Sequence, residues 1–376
     1  MIYRDYLGER VSNLALGCMR LPVKESDAEI DMDALQEMVD YAIAHGVNYF
    51  DTAWGYHGGN SEKAIGKALS RYPRESYFLA DKFPGYSLDN MPKVKTIFPE
   101  QLRKCGVEYF DFYLLHNVCE RNIDAYLNPE YGILDYLMNA KREGKIRHLG
   151  FSCHANPENL KRFLDAYGEY MEFCQLQINY LDWYFQKAKQ KVEIVSGFGI
   201  PVVVMEPLRG GKLVTIPDEY KEMLDKVTPG RTPIEWAFRF LQTIPEVKVI
   251  LNGASSLAQL QENIRTFETD EPLDEHEFMT LIRVADAMTG EKTVPCTACR
   301  YCTSYCPMEL DIPYLISLYN EHIYTGGGFL APMAVSVLPE EKRPSACLHC
   351  GACESVCPQS LPIPKLMEEF AEKLKR

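Results

Sequence analysis

Between residues 14 and 267 short apolar runs alternate with stretches whose apolar positions recur every three or four residues. The short runs suit strands buried on both faces, and the longer stretches suit helices with one buried stripe. Eight runs predict strands: Leu14 to Met19, Tyr49 to Ala53, Tyr77 to Phe83, Phe110 to His116, Ile146 to Ser152, Phe173 to Asn179, Pro201 to Glu206 and Val247 to Asn252. A helix is expected after each. In the first, Leu35, Met38, Val39, Ala42 and Ile43 form the stripe, Asp33 is the expected N-cap and Gly46 the expected C-terminal stop. Eight β-α units in roughly 250 residues is the count of a closed barrel, where doubly wound open sheets stop nearer five or six. The expected fold is therefore α/β, a (β/α)8 TIM barrel. Leu7-Gly8-Glu9 predicts a tight turn between two short strands that plug the barrel bottom.

Beyond Phe267 the pattern changes. Thr269 to Pro272 is polar and proline-ended, and Asp274 to Ala287 predicts one more helix. The chain divides into a barrel over 1–270, a linker helix over 271–290 and a small, mainly helical, ferredoxin-like domain over 291–376. With 46% hydrophobic and 25% charged residues the composition is that of an ordinary globular chain, which excludes disorder and coiled coil. No apolar run approaches the roughly 20 residues of a membrane span. The charged N-terminus does not suit a secretory signal, so a cytoplasmic location is expected. The net charge of −13, with no cluster of Lys and Arg, argues against nucleic acid as a partner.

Eight of the 13 cysteines fall in the last 81 residues. They form two identical motifs, Cys296-x2-Cys299-x2-Cys302-x3-Cys306-Pro307 and Cys347-x2-Cys350-x2-Cys353-x3-Cys357-Pro358. Three thiolates at this spacing converge on one cubic cluster, while the fourth is carried away to the other. Two [4Fe-4S] clusters follow, one on Cys296, Cys299, Cys302 and Cys357, the other on Cys347, Cys350, Cys353 and Cys306. Structural zinc and disulfides compete, but zinc takes simpler ligand pairs and a reducing cytosol disfavours disulfides. The tail resembles bacterial two-cluster ferredoxins. Its 40 residues between Cys306 and Cys347, with a helix-like Ile312 to Tyr324, bring it nearer the helical ferredoxin variety. The other five cysteines are scattered singly and suit buried packing.

Barrel enzymes carry their chemistry at the C-terminal ends of strands. There stand Asp51 after strand two, Tyr56 in the following loop, Lys82 on strand three and His116 on strand four. An ammonium near the phenol favours its anion, so Lys82 is expected to lower the Tyr56 pKa, with Asp51 holding Lys82 charged and His116 orienting a carbonyl or sharing the proton.

Asp51-Thr52-Ala53 with Tyr56, Ala80-Asp81-Lys82 and Leu114-Leu115-His116 resemble the aldo-keto reductase family. So do Ile146 to Ser152, Gln177-Ile178-Asn179-Tyr180, Glu206 to Gly211 and Gln261-Glu262-Asn263. The resemblance implies hydride transfer between NADH or NADPH and a carbonyl or alcohol, with Tyr56 as general acid. It also implies that Ser152, Gln177 and Asn179 hold the nicotinamide carboxamide and that Met205 to Gly211, including Glu206, Pro207, Leu208, Gly210 and Gly211, line the pyrophosphate. Gln259, Glu262 and Asn263 fall in the remaining nucleotide-binding stretch. The family's Ser-Asn is here Ser152-Cys153-His154, with His154 either a substitute donor or a solvent-facing histidine. Residues 252–259 lack the cations that NADPH-preferring members carry, so NADH is expected to be at least competitive. Trp54, Tyr86, Trp183, Tyr184 and Phe185 are candidates for an aromatic lining, against the commoner packing role.

The expected function is an iron-sulfur aldo-keto reductase acting on a small carbonyl or alcohol. Its clusters are either structural or relay electrons to a ferredoxin-like partner. The alternative is an electron-transfer or redox-regulatory protein on a barrel that has lost reductase activity.

Overall fold

The computed structural model describes every residue except 27, 291–292, 295, 297–299, 358–359 and 376. Cys299, one of the eight expected cluster ligands, thus lies outside the described residues. Two compact units are present, Met1–Ile282 and Arg283–Arg376, and the helix Glu275–Gly290 runs through the division.

The first unit opens with strands β1 (Tyr3–Tyr6) and β2 (Glu9–Ser12), paired antiparallel. Leu7 and Gly8 between them both have positive φ, the geometry of a two-residue hairpin turn. Eight parallel strands then close a barrel: β3 (Leu14–Gly17), β4 (Tyr49–Asp51), β5 (Phe78–Phe83), β6 (Phe110–Val118), β7 (Ile146–Cys153), β8 (Phe173–Gln177), β9 (Val202–Met205) and β10 (Val247–Asn252). β10 pairs β3 through Ile250 with Leu14, which completes the circle. All eight expected strands are present, with ends that agree or differ by one or two residues.

Inside the barrel Ala15, Tyr49, Ala80, Phe112, Phe173, Val203 and Val249 form a buried cluster with Tyr6 of the hairpin. Tyr6 stacks on Phe112 at 5.0 Å, so the hairpin fills the end at which the strands begin. Helix α1 (Met32–Ala44) buries Leu35, Met38, Val39 and Ala42 as its spacing requires. Its N-cap is Asp31, not Asp33: the Asp31 carboxylate accepts the N–H groups of Asp33 and Ala34, which places Asp33 already inside the helix. Gly46, at φ +88°, follows the C-cap His45 as the left-handed stop. Helices α2 (Ser61–Leu69) and α3 (Val94–Cys105) pack against each other, and α3 lies against β5.

The second unit is helical. Ile312–Thr325 and Ile363–Lys373 bury Ile312, Leu315, Ile316, Leu366, Met367 and Phe370 around Cys302 and Cys353. Among the described residues no helix is long and apolar enough to cross a membrane.

Candidate active site and cluster-binding unit

Side chains alternate along a strand, so residues two and four places beyond an inward-facing one also face inward. From Tyr49, Ala80 and Phe112 in the barrel core this rule leads to Asp51, Lys82 and His116, each nearer the C-terminal mouth. Lys82 Nζ donates to Asp51 Oδ1 at 2.5 Å and to the Thr52 carbonyl at 2.7 Å, with both side chains buried. Its ammonium lies 5.1 Å from the Tyr56 ring centre, near enough to pull on the phenol. The His116 ring stands edge-on to Tyr56 at 6.0 Å and to Tyr86 at 5.3 Å. The structure therefore brings all four residues together.

The electrostatics differ from expectation at one point. Burial pushes the Tyr56 phenol up to about 12, although Lys82 pulls it down. The ammonium moderates desolvation and does not overcome it, so the expected net lowering is corrected: Tyr56 holds its proton firmly at neutral pH. Burial also disfavours the Lys82 ammonium, but Asp51 and Tyr56 together outweigh this and hold it charged. Burial raises Asp51 against the pull of Lys82. His116 is driven well below the ordinary imidazole value by burial, then by Lys82 and His154, and is neutral. Asp51 Oδ2 and His116 Nδ1 are buried without a protein partner.

At the ends of β7 to β9 the expected carboxamide-holding residues separate into two groups. Ser152 Oγ accepts the Asn117 N–H at 2.7 Å and remains able to donate. Gln177 Nε2 donates to Asp182 at 2.8 Å, which aims its carbonyl oxygen elsewhere. A hydroxyl and an amide oxygen on neighbouring strands are a donor and an acceptor that fit a primary carboxamide. Asn179, by contrast, spends its amide inside the protein: Nδ2 donates to Asp182 at 2.7 Å and to the Glu206 carbonyl at 3.1 Å, and Oδ1 accepts Asp182 N–H at 2.9 Å. The buried Asp182 also receives Arg209 Nε at 3.0 Å. Asp182 was not anticipated, since it falls between the quoted Gln177 to Tyr180 and the aromatic candidates Trp183 to Phe185, whereas Arg209 lies within the stretch Met205 to Gly211 expected at the pyrophosphate.

Glu206, Pro207 and Leu208 lead from β9 into a turn in which Gly210 and Gly211 are exposed. A Cβ at Gly210 would come within 3.3 Å of Arg20 Nη2, and one at Gly253 within 3.3 Å of Arg20 Cδ. A cation thus lies against both loops, where residues 252–259 supply none. Its only sequence signal is a charge directly after the first barrel strand. Gln259 accepts the Ser255 N–H at 2.9 Å, and Asn263 donates to Asn252 at 3.4 Å. Glu262 is half-buried on the same helix, Leu257–Thr266. His154 is half-buried and neutral, its pKa lowered by burial to about 4.

Of the aromatic candidates, Tyr86 and Trp54 stand beside the four central residues, Tyr86 against His116 and Trp54 two places before Tyr56. Gly55 is required where it stands, because a Cβ there would lie 2.3 Å from the Tyr86 hydroxyl. Trp183 packs on Phe240, Phe185 lies near Arg209, and Tyr184 is half exposed.

In the second unit Cys306, Cys347, Cys350 and Cys353 line one cavity, closed by apolar side chains that include Leu310, Ile312 and Met367. Cys306, from the first motif, joins three thiols of the second, as the crossed assignment requires. Four thiols around an apolar cavity fit a cubic cluster. Of the other set, Cys302 is buried, and Cys296 and Cys357 pack against the same core.

A model of the aldo/keto reductase family matches residues 13–286. The chain belongs to that family. A 4Fe-4S dicluster domain model matches residues 295–361, so this aldo/keto reductase carries an iron-sulfur domain after its barrel in the sequence. A solved aldo-keto reductase from Bacillus halodurans, in its holo form, superposes with a TM-score of 0.64 at 25% identity, over 76% of this chain and 97% of that one. The NADH-specific methylglyoxal reductase of Escherichia coli is 28% identical over 281 residues, 63% of this chain and 82% of the relative. A probable aldo-keto reductase of Glycine max is 29% identical over 212 residues, and the match spans 58% of its length.

Proposed function

We propose that the barrel reduces carbonyl compounds with hydride from NADH, or runs the reverse oxidation of alcohols, and that the second unit binds two [4Fe-4S] clusters through its eight cysteines. One observation carries the first half: a charged Lys82 fixed on Asp51 at 2.5 Å beside a protonated Tyr56 and a neutral His116. Reduced nicotinamide supplies a hydride when bound, and a cluster moves one electron. Tyr56 donates its proton to the carbonyl oxygen as negative charge develops there. Lys82 stabilises the phenolate that remains, Asp51 keeps Lys82 in place, and neutral His116 donates a hydrogen bond that orients the carbonyl. Ser152 and Gln177 hold the carboxamide, and Arg20 pairs with the pyrophosphate across Gly210 and Gly253. The preference for NADH rests on the missing cations at 252–259 and agrees with the name of the Escherichia coli relative.

Tyr56→Phe should lower kcat for carbonyl reduction by roughly 100- to 10,000-fold and leave the visible cluster absorbance unchanged. Retained activity would overturn the role given to Tyr56. About eight iron and eight sulfide per chain are expected from anaerobic analysis. NADH and NADPH dissociation constants test the cofactor, and a tenfold advantage for NADPH would sink the stated preference. Anaerobic addition of NADH then separates relay from structural clusters, since only a relay bleaches the cluster band.

A further inference from the structure

Behind Lys82 lies a polar group that this chemistry does not use. Lys104 Nζ sits 3.9 Å over the Trp54 ring centre and pairs with the fully buried Glu62 carboxylate. Gln101 Nε2 donates to Glu62 Oε1 at 3.1 Å and to the Lys82 carbonyl at 2.9 Å. The Tyr113 hydroxyl donates to Gln101 Oε1 at 2.5 Å, which fixes the orientation of that amide. On the other side the Lys82 N–H donates to Asp81 Oδ1 at 2.8 Å. Burial and the neighbouring Glu62 carboxylate raise the Asp81 pKa well above the usual carboxylate range.

The helices that carry this polar group are pressed together. A Cβ at Gly66 of α2 would lie 2.2 Å from the Cys105 carbonyl oxygen of α3, so Glu62 and Lys104 meet across a contact with no slack. Trp54, on which Lys104 rests, is two residues before Tyr56. Tyr56 itself begins a turn in which His57 takes a left-handed φ of +52°, a conformation that its surroundings must enforce.

We propose that Lys104 and Glu62 are positioning residues for proton donation: the ammonium seats Trp54 and with it the Tyr56 loop, while Glu62 through Gln101 fixes the Lys82 peptide. Donor and lysine thus take their placement from one buried ion pair. This rests on the reading that Tyr56 and Lys82 act in carbonyl reduction.

The test is the double variant Lys104→Met with Glu62→Gln, which removes both charges and leaves neither buried alone. Lys104→Arg is the conservative control. The protein is labelled with 5-fluorotryptophan, which gives three resonances for its three tryptophans, and Trp54 is assigned by its loss in Trp54→Phe. The Trp54 resonance should move in the double variant and return toward its place in Lys104→Arg. Carbonyl-reduction kcat should fall roughly ten- to a hundredfold, with the NADH dissociation constant unchanged within about twofold. An unmoved Trp54 resonance, an unchanged kcat, or shifts at all three tryptophans would each overturn the proposal. A Trp54 resonance that moves in the double variant as described, together with a wild-type protein that reduces no carbonyl, would refute the reading of Tyr56 and Lys82 instead.

Discussion

The barrel mouth and the cysteine cavity both gather reactive groups, but only the first is held by the polypeptide's own bonds. Asp51, Lys82 and His116 point to one spot because strand pairing fixes their parity, and each charge there has a partner. Cys306, Cys347, Cys350 and Cys353 meet from segments 40 residues apart, and as thiolates they would repel one another without iron between them. The barrel site is built before its cofactor arrives. On the proposed reading the cysteine site is completed by its cofactor, so folding and metal binding should become one event.

The largest effect that would sharpen this contrast is the removal of iron. Anaerobic chelation should leave residues 283–376 open to protease while the barrel keeps its cooperative melting, read by mass spectrometry of the fragments. A protease-resistant second unit without iron would break the contrast.

The next effect is on pH dependence. Reduction needs protonated Tyr56, whose pKa is raised to about 12, so its rate should persist beyond pH 10, while alcohol oxidation should climb as pH rises. Neutral His116 should add no acid limb near 6.5, and such a limb in the kcat profile would show that the imidazole is not held neutral.

The smallest effect concerns the barrel alone. Burial disfavours the Glu172 carboxylate, but hydrogen bonds from His148, Lys141 and the Leu149 N–H lower its pKa from 4.5 to about 2. Because the folded pKa is depressed, this stability is present above about pH 4.5 and lost as pH falls toward 2. Glu172→Gln should therefore cost ~1 kcal/mol at pH 7, allowing for solvent screening, and nothing near pH 2, measured by urea unfolding of the barrel transition.

What was legible in the sequence was local or periodic. The eight strands announced themselves because parallel strands are buried on both faces, and the cysteine motifs because ligand spacing is written within a dozen residues. Asp51, Lys82 and His116 were found by their place at strand ends. The Glu62 and Lys104 pair was not visible, since it depends on how two helices 42 positions apart cross. Asp182 was hidden among aromatic neighbours, and its meeting with Arg209 depends on two adjacent strand ends. The sign of the Tyr56 shift was missed because a sequence reveals a neighbouring charge but not the water excluded from around it.

The Tyr86 hydroxyl fills the volume that a side chain at position 55 would need. The two positions divide one allotment of space on the wall nearest His116, so a bulkier residue at 55 demands a smaller one at 86. Any reshaping of that wall for a different substrate has to proceed by compensated pairs, and a library that varies either position alone would sample mostly collisions or voids.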